Sequence, residues 1–175
     1  AVVFGQCPQL LMERQTNESL RPSSILIPTG GTSGKVKFAV HSWSSLATAG
    51  HGLAKFMGDQ SLHACCMLPL YHVSGIMQLV RCWITGGRLF FISFKAFLGG
   101  ERPDFDSHIL CLSLVPTQLY RLVQDPSALD YLSKVRAIFV GGASVQPKLA
   151  IQARMSRLPI VLSYGMTETA GMVTA

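Results

Sequence analysis

A glycine-rich segment offers the first candidate chemistry in the chain. It reads Pro-Thr-Gly-Gly-Thr-Ser-Gly-Lys over positions 28–35 and combines three glycines, three hydroxyls and a lysine. Glycines allow consecutive backbone N–H groups to converge on an anion, hydroxyls add donors, and lysine adds positive charge. Thr29 and Val36 exclude the Walker pattern, and the dinucleotide pattern starting at Gly30 finds no glycine at 32 or 35. The segment therefore predicts a phosphate cradle of another type, or else a flexible turn between two strands.

A second polar motif, Tyr-Gly-Met-Thr-Glu-Thr, occupies positions 164–169. The ring of Tyr164 can stack on a base, and Gly165 permits close backbone approach. Thr167 can donate to a phosphate, and Glu168 can ligate Mg²⁺ through oxygen. The same residues also suit the start of a helix, with Thr167 as its N-cap and Glu168 in its first turn. On these residues alone, both interpretations stay open.

Two further side chains stand out against apolar surroundings. His72 follows a predicted strand within the segment 69–75, where an isolated histidine is commonly an ordinary core or surface residue. Arg81 lies in a predicted helix that is otherwise apolar between positions 76 and 84. A guanidinium in such a helix needs an anion, or it must extend to the solvent. Arg81 is therefore either an anion-binding residue or a surface arginine on the polar edge of the helix.

The two polar motifs together resemble those of the adenylate-forming superfamily, which includes acyl-CoA synthetases, aryl-CoA ligases, luciferases and peptide-synthetase adenylation domains. Positions 26–37 satisfy the superfamily signature, with Val36 in place of the more usual proline and Gly30 in place of a frequent serine. The Tyr-Gly-x-Thr-Glu motif follows in the same order and at a comparable separation. A Gly-Gly-Ala segment at positions 141–143 is similar to the strand end on the other side of the adenine in that superfamily.

This resemblance implies ATP and Mg²⁺ as ligands. It implies that Tyr164 stacks on adenine, Thr167 contacts the α-phosphate and Glu168 holds the magnesium, while the glycine-rich segment holds the leaving phosphates. The catalytic residues implied are Lys35, Thr167 and Glu168. The nucleotide-binding residues implied are Thr29, Gly30, Gly31, Thr32, Ser33, Gly34, Lys35, Gly141, Gly142, Ala143, Tyr164, Gly165, Met166 and Thr167.

Within the superfamily, the chain is most similar to the 2-succinylbenzoate–CoA ligases of menaquinone and phylloquinone synthesis. The similarity lies in the form of the glycine-rich segment and in Leu-Tyr-His-Val-Ser-Gly at positions 70–75. It implies formation of an acyl-adenylate from ATP, then transfer of the acyl group to CoA. His72 would face the carboxylate to be activated, and Arg81 would hold the second, free carboxylate in a bidentate pair. The acid-binding residues implied are His72, Ser74, Gly75, Arg81 and Ser163.

Two other functions remain open from the sequence. One is a ligase of the same superfamily for a fatty, aryl or amino acid, which would differ mainly at His72 and Arg81. The other is a non-catalytic nucleotide-binding fragment. The resemblance further implies that the ribose-binding aspartate and the adenylating lysine of the family lie beyond Ala175. We therefore expect a central slice of a longer enzyme, inactive alone in acyl-CoA formation.

Alternating strands and helices must position these residues. Apolar runs predict strands at 25–27, 36–40, 64–68, 88–92, 109–115, 137–140 and 160–163. Helical spacing and caps predict helices at 42–57, 73–84, 116–123 and 147–157. The pattern predicts an α/β fold with a largely parallel sheet flanked by helices, whose ligands bind at the carboxyl ends of the strands. We divide the chain into a weakly structured lead-in at 1–24, with one short helix at 8–13, and a partial adenylation domain at 25–175.

Composition excludes several classes of protein. Hydrophobic residues make up 49% and charged residues 14%, with a mean hydropathy of +0.35, which excludes a disordered polar chain. The longest stretch without an acidic or basic residue, 60–80, is interrupted by polar residues, so we expect a soluble cytoplasmic protein without a membrane span. The net charge of +6 is scattered, which argues against a nucleic-acid partner and indicates ordinary surface charge or weak attraction of anionic substrates. Five cysteines without a C-x-x-C pair argue against zinc or disulfide frameworks.

Overall fold

A five-stranded, wholly parallel sheet forms the centre of the computed structural model, which describes residues 2–3, 23–29, 36–58 and 60–175. Its strands, in the spatial order β5-β4-β6-β7-β8, have these bounds: β4 His63–Cys66, β5 Leu89–Phe91, β6 Leu110–Leu114, β7 Ala137–Val140 and β8 Ile160–Leu162. The predicted α/β fold with a parallel sheet flanked by helices is confirmed.

Helices cover both faces of this sheet, with α1 and α2 on one face and α3 to α6 on the other. The helices have these bounds: α1 Trp43–Phe56, α2 Val73–Ile84, α3 Phe94–Leu98, α4 Pro116–Leu122, α5 Pro126–Leu132 and α6 Pro147–Met155. Leu110, Leu112 and Leu114 of β6 join the core beneath α3 to α6. Cys111 joins the core beneath α1, because successive side chains of a strand point to opposite faces. Residues at the odd-numbered positions of β6, including Ser113, thus face α1 and α2.

Local sequence signals fix most helix starts. Ser42 caps α1, with its side chain accepting a hydrogen bond from the backbone of Ser45. The Asp-Pro pair at 125–126, which from the sequence is expected to end the helix that begins at Pro116, follows the end of α4 at Leu122 and also begins another helix. Asp125 caps a new helix, α5, by accepting from the backbone N–H groups of Ser127 and Ala128. Proline is favourable at the first position of a helix, so the same dipeptide ends one turn and starts the next.

A second sheet, built from β1 Val2–Val3, β2 Ile25–Thr29 and β3 Lys37–His41, lies outside the parallel sheet. β2 and β3 are antiparallel, while β1 pairs parallel with β2. Within the predicted lead-in at 1–24, Val2–Val3 is therefore a short strand held by backbone pairing with β2, while residues 4–22 lie outside the described residues. The helix predicted at 8–13 and the glycine-rich residues 30–35 lie outside the described residues.

The second polar motif also differs from its predicted form. Residues 164–169 form strand β9, Tyr164–Met166, followed by a short 3₁₀ turn, Thr167–Thr169. β9 pairs antiparallel with β10, Gly171–Thr174, rather than forming a loop or the start of an α-helix. The 3₁₀ turn does hold Glu168 in its first turn. The β9–β10 hairpin forms because residues that follow the motif in the sequence, those of β10, pair with the backbone of β9.

Four cysteines of the described residues are buried free thiols: Cys65, Cys66, Cys82 and Cys111. Burial raises the pKa of the Cys65 and Cys82 thiols to about 12, so both remain protonated and pack as small apolar groups. None of the described helices is long and apolar enough to cross a membrane.

We expect the stability of the fold to depend strongly on the buried side chains of the central strand β6. We expect Leu112→Ala to lower the free energy of unfolding by about 2–5 kcal/mol, because Leu112 is 0% exposed and its loss leaves a cavity. Leu162→Ala is a matched control, since Leu162 is 40% exposed in the edge strand β8, and should cost less than about 1 kcal/mol. Urea unfolding measures both. Equal losses at the two positions would contradict the described burial.

Candidate functional site

A cavity of about 120 Å³ opens where the carboxyl ends of β6, β7 and β8 meet the start of α2. Its wall contains apolar side chains together with polar and glycine positions from five segments. The polar and glycine positions of the wall are Ser74, Arg81, Ser113, Gly141, Gly142, Ser163, Gly165 and Gly171. Positions separated by about a hundred residues in the sequence therefore meet at one edge of the sheet, where α/β proteins bind their ligands.

Arg81 supplies the buried positive charge of this wall. The residue is 7% exposed, and its Nε has no hydrogen-bond partner among the described residues. Burial lowers the pKa of Arg81 to about 10, so the guanidinium keeps its charge at neutral pH. A buried cation without a paired anion is costly, and a ligand carboxylate or phosphate in the cavity would relieve that cost. One of the two alternatives from the sequence, a surface arginine on the polar edge of the helix, is therefore wrong, because Arg81 is buried.

The loops after β7 and β8 meet closely at the cavity. The Ser163 hydroxyl donates a hydrogen bond to the carbonyl of Val140 at 3.2 Å. A Cβ atom built on Gly141 would lie 2.6 Å from Ser163 Oγ, so a larger residue at 141 would push the two loops apart. Gly142 follows with φ +81°, in the left-handed region that glycine adopts without strain. Both glycines thus serve the shape of the cavity floor.

The β9–β10 hairpin forms the next part of the site. Gly165 lines the cavity, while Tyr164 and Met166 on either side are exposed. A Cβ atom on Gly165 would lie 2.0 Å from the carbonyl oxygen of Gly171 in β10. The glycine is therefore required by the hairpin itself, in addition to the approach of a ligand suggested by the motif. Tyr164 presents an exposed ring next to the glycine floor, a position from which it can stack on a base.

The 3₁₀ turn carries the candidate metal ligand. Glu168 is exposed, and the turn ends at Ala170 with a left-handed backbone of φ +58°. Among the described residues no group of three or more His, Cys, Asp or Glu could hold a metal ion. A single carboxylate suits Mg²⁺, which keeps several waters and binds phosphate oxygens of its substrate. The residues present therefore fit a magnesium ion that enters together with a nucleotide.

His41 is a buried contact of this turn that the sequence interpretation did not include. It ends β3, and its Nε2 donates to the carbonyl oxygen of Thr167 at 2.7 Å, because a carbonyl can only accept. The bond joins the β2–β3 hairpin, which flanks the glycine-rich segment, to the turn that holds Glu168. No local sequence signal points to this contact, because the apolar residues Phe38 and Val40 alternate with Ala39 and His41, and it is Ala39 and His41 that the fold buries.

Four further candidate residues of the described part of the chain, Thr29, His72, Gly75 and Ala143, are not part of the cavity wall. His72 is the exposed N-cap of α2, and its ring contacts that of Tyr71 with centroids 4.5 Å apart. Gly75 is buried, and a Cβ atom built on it would lie 2.1 Å from the carbonyl oxygen of Pro69. A glycine at this position therefore allows α2 to pack closely against the preceding loop. Ala143 is exposed in the loop after β7, and Thr29 ends β2, while Gly30, Gly31, Thr32, Ser33, Gly34 and Lys35 lie outside the described residues. Ser113, whose place in the wall follows from the alternation of β6, is a further residue that sequence reasoning missed.

The fold and the cavity together define an α/β protein with a cavity at the carboxyl edge of its parallel sheet, the edge at which α/β proteins bind ligands. The chain belongs to the AMP-binding enzyme family, whose model matches residues 8–175.

Comparison with known proteins places its most similar relatives among ligases. The chain is 32% identical over 151 residues to a 2-succinylbenzoate–CoA ligase of Escherichia coli strain K12, covering 84% of this chain and 31% of the relative. It is 28% identical over 150 residues to the enzyme of the same name from Oceanobacillus iheyensis, covering 83% of this chain and 30% of the relative. The chain thus spans about a third of the length of these curated relatives.

Solved structures give the same result. E. coli MenE with a bound phenylether-linked analogue of OSB-AMS is similar with a TM-score of 0.67 and 28% identity, over 87% of this chain and 33% of that one. The o-succinylbenzoate coenzyme A synthetase (MenE) of Bacillus subtilis in complex with ATP and magnesium ion is similar with a TM-score of 0.68 and 25% identity, over 85% of this chain and 31% of that one.

The His41 contact predicts a measurable coupling between β3 and the 3₁₀ turn. We expect His41→Leu to lower the free energy of unfolding by about 0.5–1.5 kcal/mol and to speed amide exchange at residues 167–170, because the side-chain donor is lost. His51→Leu, at an exposed position of α1, is the matched control and should leave both unchanged. Hydrogen exchange followed by mass spectrometry gives the local readout. Unchanged exchange at 167–170 in His41→Leu would contradict the coupling.

Proposed function

We propose that this chain carries the nucleotide- and acid-binding part of an AMP-forming acid–CoA ligase, and that the acid is 2-succinylbenzoate. The observation that carries the proposal is Arg81: a charged side chain, 7% exposed, in the wall of the cavity at the carboxyl edge of the sheet. A cation in this place favours an anionic ligand, and an acid with two carboxylates retains one after the other is activated. Family membership and the names of the relatives support the reaction class and the acid, respectively.

The acid would lie in the cavity between α2 and the ends of β6 and β7. Arg81 would bind the free carboxylate through two N–H donors, while apolar side chains such as Met77 and Leu114 contact the hydrocarbon part. Ser74 and Ser163 offer hydroxyls along the same wall. His72 and Gly75 lie at the start of α2 next to this wall, with His72 exposed and thus free to turn toward the carboxylate that is activated.

The nucleotide would bind across the glycine floor. Tyr164 would stack on the adenine, with Gly141, Gly142 and Ala143 on its other side and the backbone of Gly165 and Met166 beneath. Thr167 would donate to the α-phosphate. The glycine-rich segment from Thr29 to Lys35 would hold the β- and γ-phosphates, with Lys35 adding charge to the leaving pyrophosphate. Close packing of Gly165 against β10 and the His41–Thr167 hydrogen bond hold the hairpin and the turn that carries Thr167 in place before the ligand arrives.

The reaction would proceed in two steps. A carboxylate oxygen of the acid attacks the α-phosphorus of ATP, the bond to the β-phosphate oxygen breaks, and pyrophosphate leaves with an acyl-adenylate formed. The thiol of CoA then attacks the acyl carbon, and AMP leaves. Mg²⁺, held by Glu168 and the phosphates, would supply charge neutralisation for the leaving pyrophosphate. The residues of this chain contribute mainly by positioning the carboxylate and the phosphates in line.

The identity of the acid can be tested at Arg81. In the full-length protein we expect Arg81→Leu to lower kcat/KM for 2-succinylbenzoate tenfold to a hundredfold, because a charge-assisted pair in a partly dry site contributes about 1.5–3 kcal/mol. A monocarboxylate analogue without the second charge should lose little. Arg121→Leu, at an exposed position of α4, is the matched control and should leave kcat/KM unchanged for both acids. Equal losses for both acids would make Arg81 structural and would favour another acid of the same reaction class.

The metal site can be tested at Glu168. We expect Glu168→Gln to raise the Mg²⁺ concentration needed for half-maximal adenylate formation about tenfold or more, because a charged oxygen ligand is replaced by a neutral one. The fold should be intact, since Glu168 is exposed. Pyrophosphate release measured across a magnesium titration gives the result, with Glu101→Gln as the control at another exposed carboxylate. An unchanged titration curve would rule out Glu168 as the ligand.

A further inference from the structure

A second polar side chain is buried behind Arg81. Gln78 is 2% exposed in α2, and its Nε2 donates to the backbone carbonyl of Ser74 at 3.0 Å. That bond fixes the orientation of the amide, because the carbonyl of Ser74 accepts only from the NH₂ end. The other end, Oε1, is then a buried acceptor without a hydrogen-bond partner among the described residues.

The unpaired acceptor of Gln78 has an unpaired donor beside it. Arg81 lies three residues further along α2, and residues at this spacing are neighbours on one side of a helix. Its Nε–H is the buried donor without a partner in the described part of the chain. Buried polar groups are rarely left unpaired in folded proteins, and two complementary ones on adjacent side chains point to one shared partner.

A small cavity provides the space for that partner. It measures about 20 Å³ and is lined by Gln78 and Arg81 together with Leu62, Cys82, Cys111 and Ser113. One water molecule needs about 10–15 Å³ of such space and at least two polar partners. Arg81 and Ser113 line both this cavity and the larger one at the sheet edge. The side chain of Arg81 therefore lies between the two cavities.

We propose that the small cavity holds one ordered water, which accepts a hydrogen bond from Arg81 Nε–H and donates one to Gln78 Oε1. Gln78 is thereby a positioning residue for Arg81. Because the water binds Nε on the side of the small cavity, the guanidinium keeps a single orientation. Its two terminal NH₂ groups then point toward the larger cavity. A bidentate pair with a carboxylate needs this fixed plane, because both N–H donors must point at the two oxygens together.

The structural half of the proposal stands independently of any activity. A crystal structure that resolves ordered water should show one within hydrogen-bond distance of both Gln78 Oε1 and Arg81 Nε. In ¹⁵N NMR spectra, the Nε–H signal of Arg81, assigned by its loss in Arg81→Lys, should exchange slowly with solvent and should shift in Gln78→Met. No water bridging the two atoms, or a direct bond between them, would overturn the proposal.

The catalytic half rests on the proposed function and uses a closely matched pair of variants. Gln78→Met keeps the side-chain length but removes the acceptor of the water and the bond to Ser74. Gln124→Met removes the same kind of bond, from Gln124 Nε2 to the carbonyl of Tyr120 at 3.2 Å, at an exposed position. It therefore controls for the loss of a side-chain bond to the carbonyl four residues earlier.

In the full-length protein we expect Gln78→Met to lower kcat/KM for 2-succinylbenzoate about threefold to tenfold, mainly by raising KM. The value of kcat/KM for a monocarboxylate analogue should stay unchanged. Gln124→Met should change neither. Two outcomes would overturn the positioning role. In one, Gln78→Met lowers kcat/KM equally for both acids. In the other, Gln78→Met leaves kcat/KM for the dicarboxylate unchanged although Arg81→Leu lowers it. If Arg81→Leu is itself without effect, the proposed acid is wrong, and the crystallographic and NMR results still decide whether the water exists.

Discussion

A parallel sheet must be covered on both faces, and this requirement determines where Gln78 and Arg81 lie. The strands β4, β6 and β7 are apolar on both sides, so helices have to bury them from above and below. The face beneath α3 to α6 is closed mainly by apolar side chains. The opposite face is closed by α1 and α2, and α2 is the helix that carries the polar residues Gln78 and Arg81 into the interior.

Placing a guanidinium between a helix and a sheet is costly unless an anion offsets its desolvation. The protein restricts that cost to one edge of the sheet, where the strands end and a cavity opens onto their carboxyl ends. Glycines at the strand ends keep this edge open, because Gly141 meets Ser163 and Gly165 meets β10 too closely for any side chain. The same geometry that leaves Arg81 without an anionic partner in the described part of the chain therefore leaves room for a ligand that can pair with it.

The nucleotide side of the site depends on a contact between the two sheet systems. His41 ends β3 of the small sheet and binds the carbonyl of Thr167, which is 126 positions away in the sequence. Through this bond the hairpin that flanks the glycine-rich segment is fixed to the turn that carries Glu168. Under the proposed function, Thr167 and Glu168 would gain from this rigidity, because preorganised groups need not rearrange when charge develops in the transition state.

The sequence by itself determined the elements whose signals are local. Helix α2 and strand β7 lie at the predicted bounds, because their apolar runs end at glycine or polar residues that cannot continue them. The two polar motifs were sufficient to predict the family, since a long ordered pattern of residue types is specific without any knowledge of contacts. Asp125 and Pro126 show the limit of local signals, because the same pair can end one helix or begin another.

Only the tertiary structure decided which side chains meet. Strand β9 forms because β10 returns to pair with it, and although Gly165 permits that pairing, its partner strand lies outside the motif. Whether Arg81 lies at the surface or in a cavity wall depends on the packing of α2 against β6, which helical periodicity alone leaves open. The contacts of His41 and Gln78 depend on the same long-range packing. Contacts between distant segments are fixed by how helices and strands fill space together, and that information is distributed over the whole core rather than held in any one stretch of sequence.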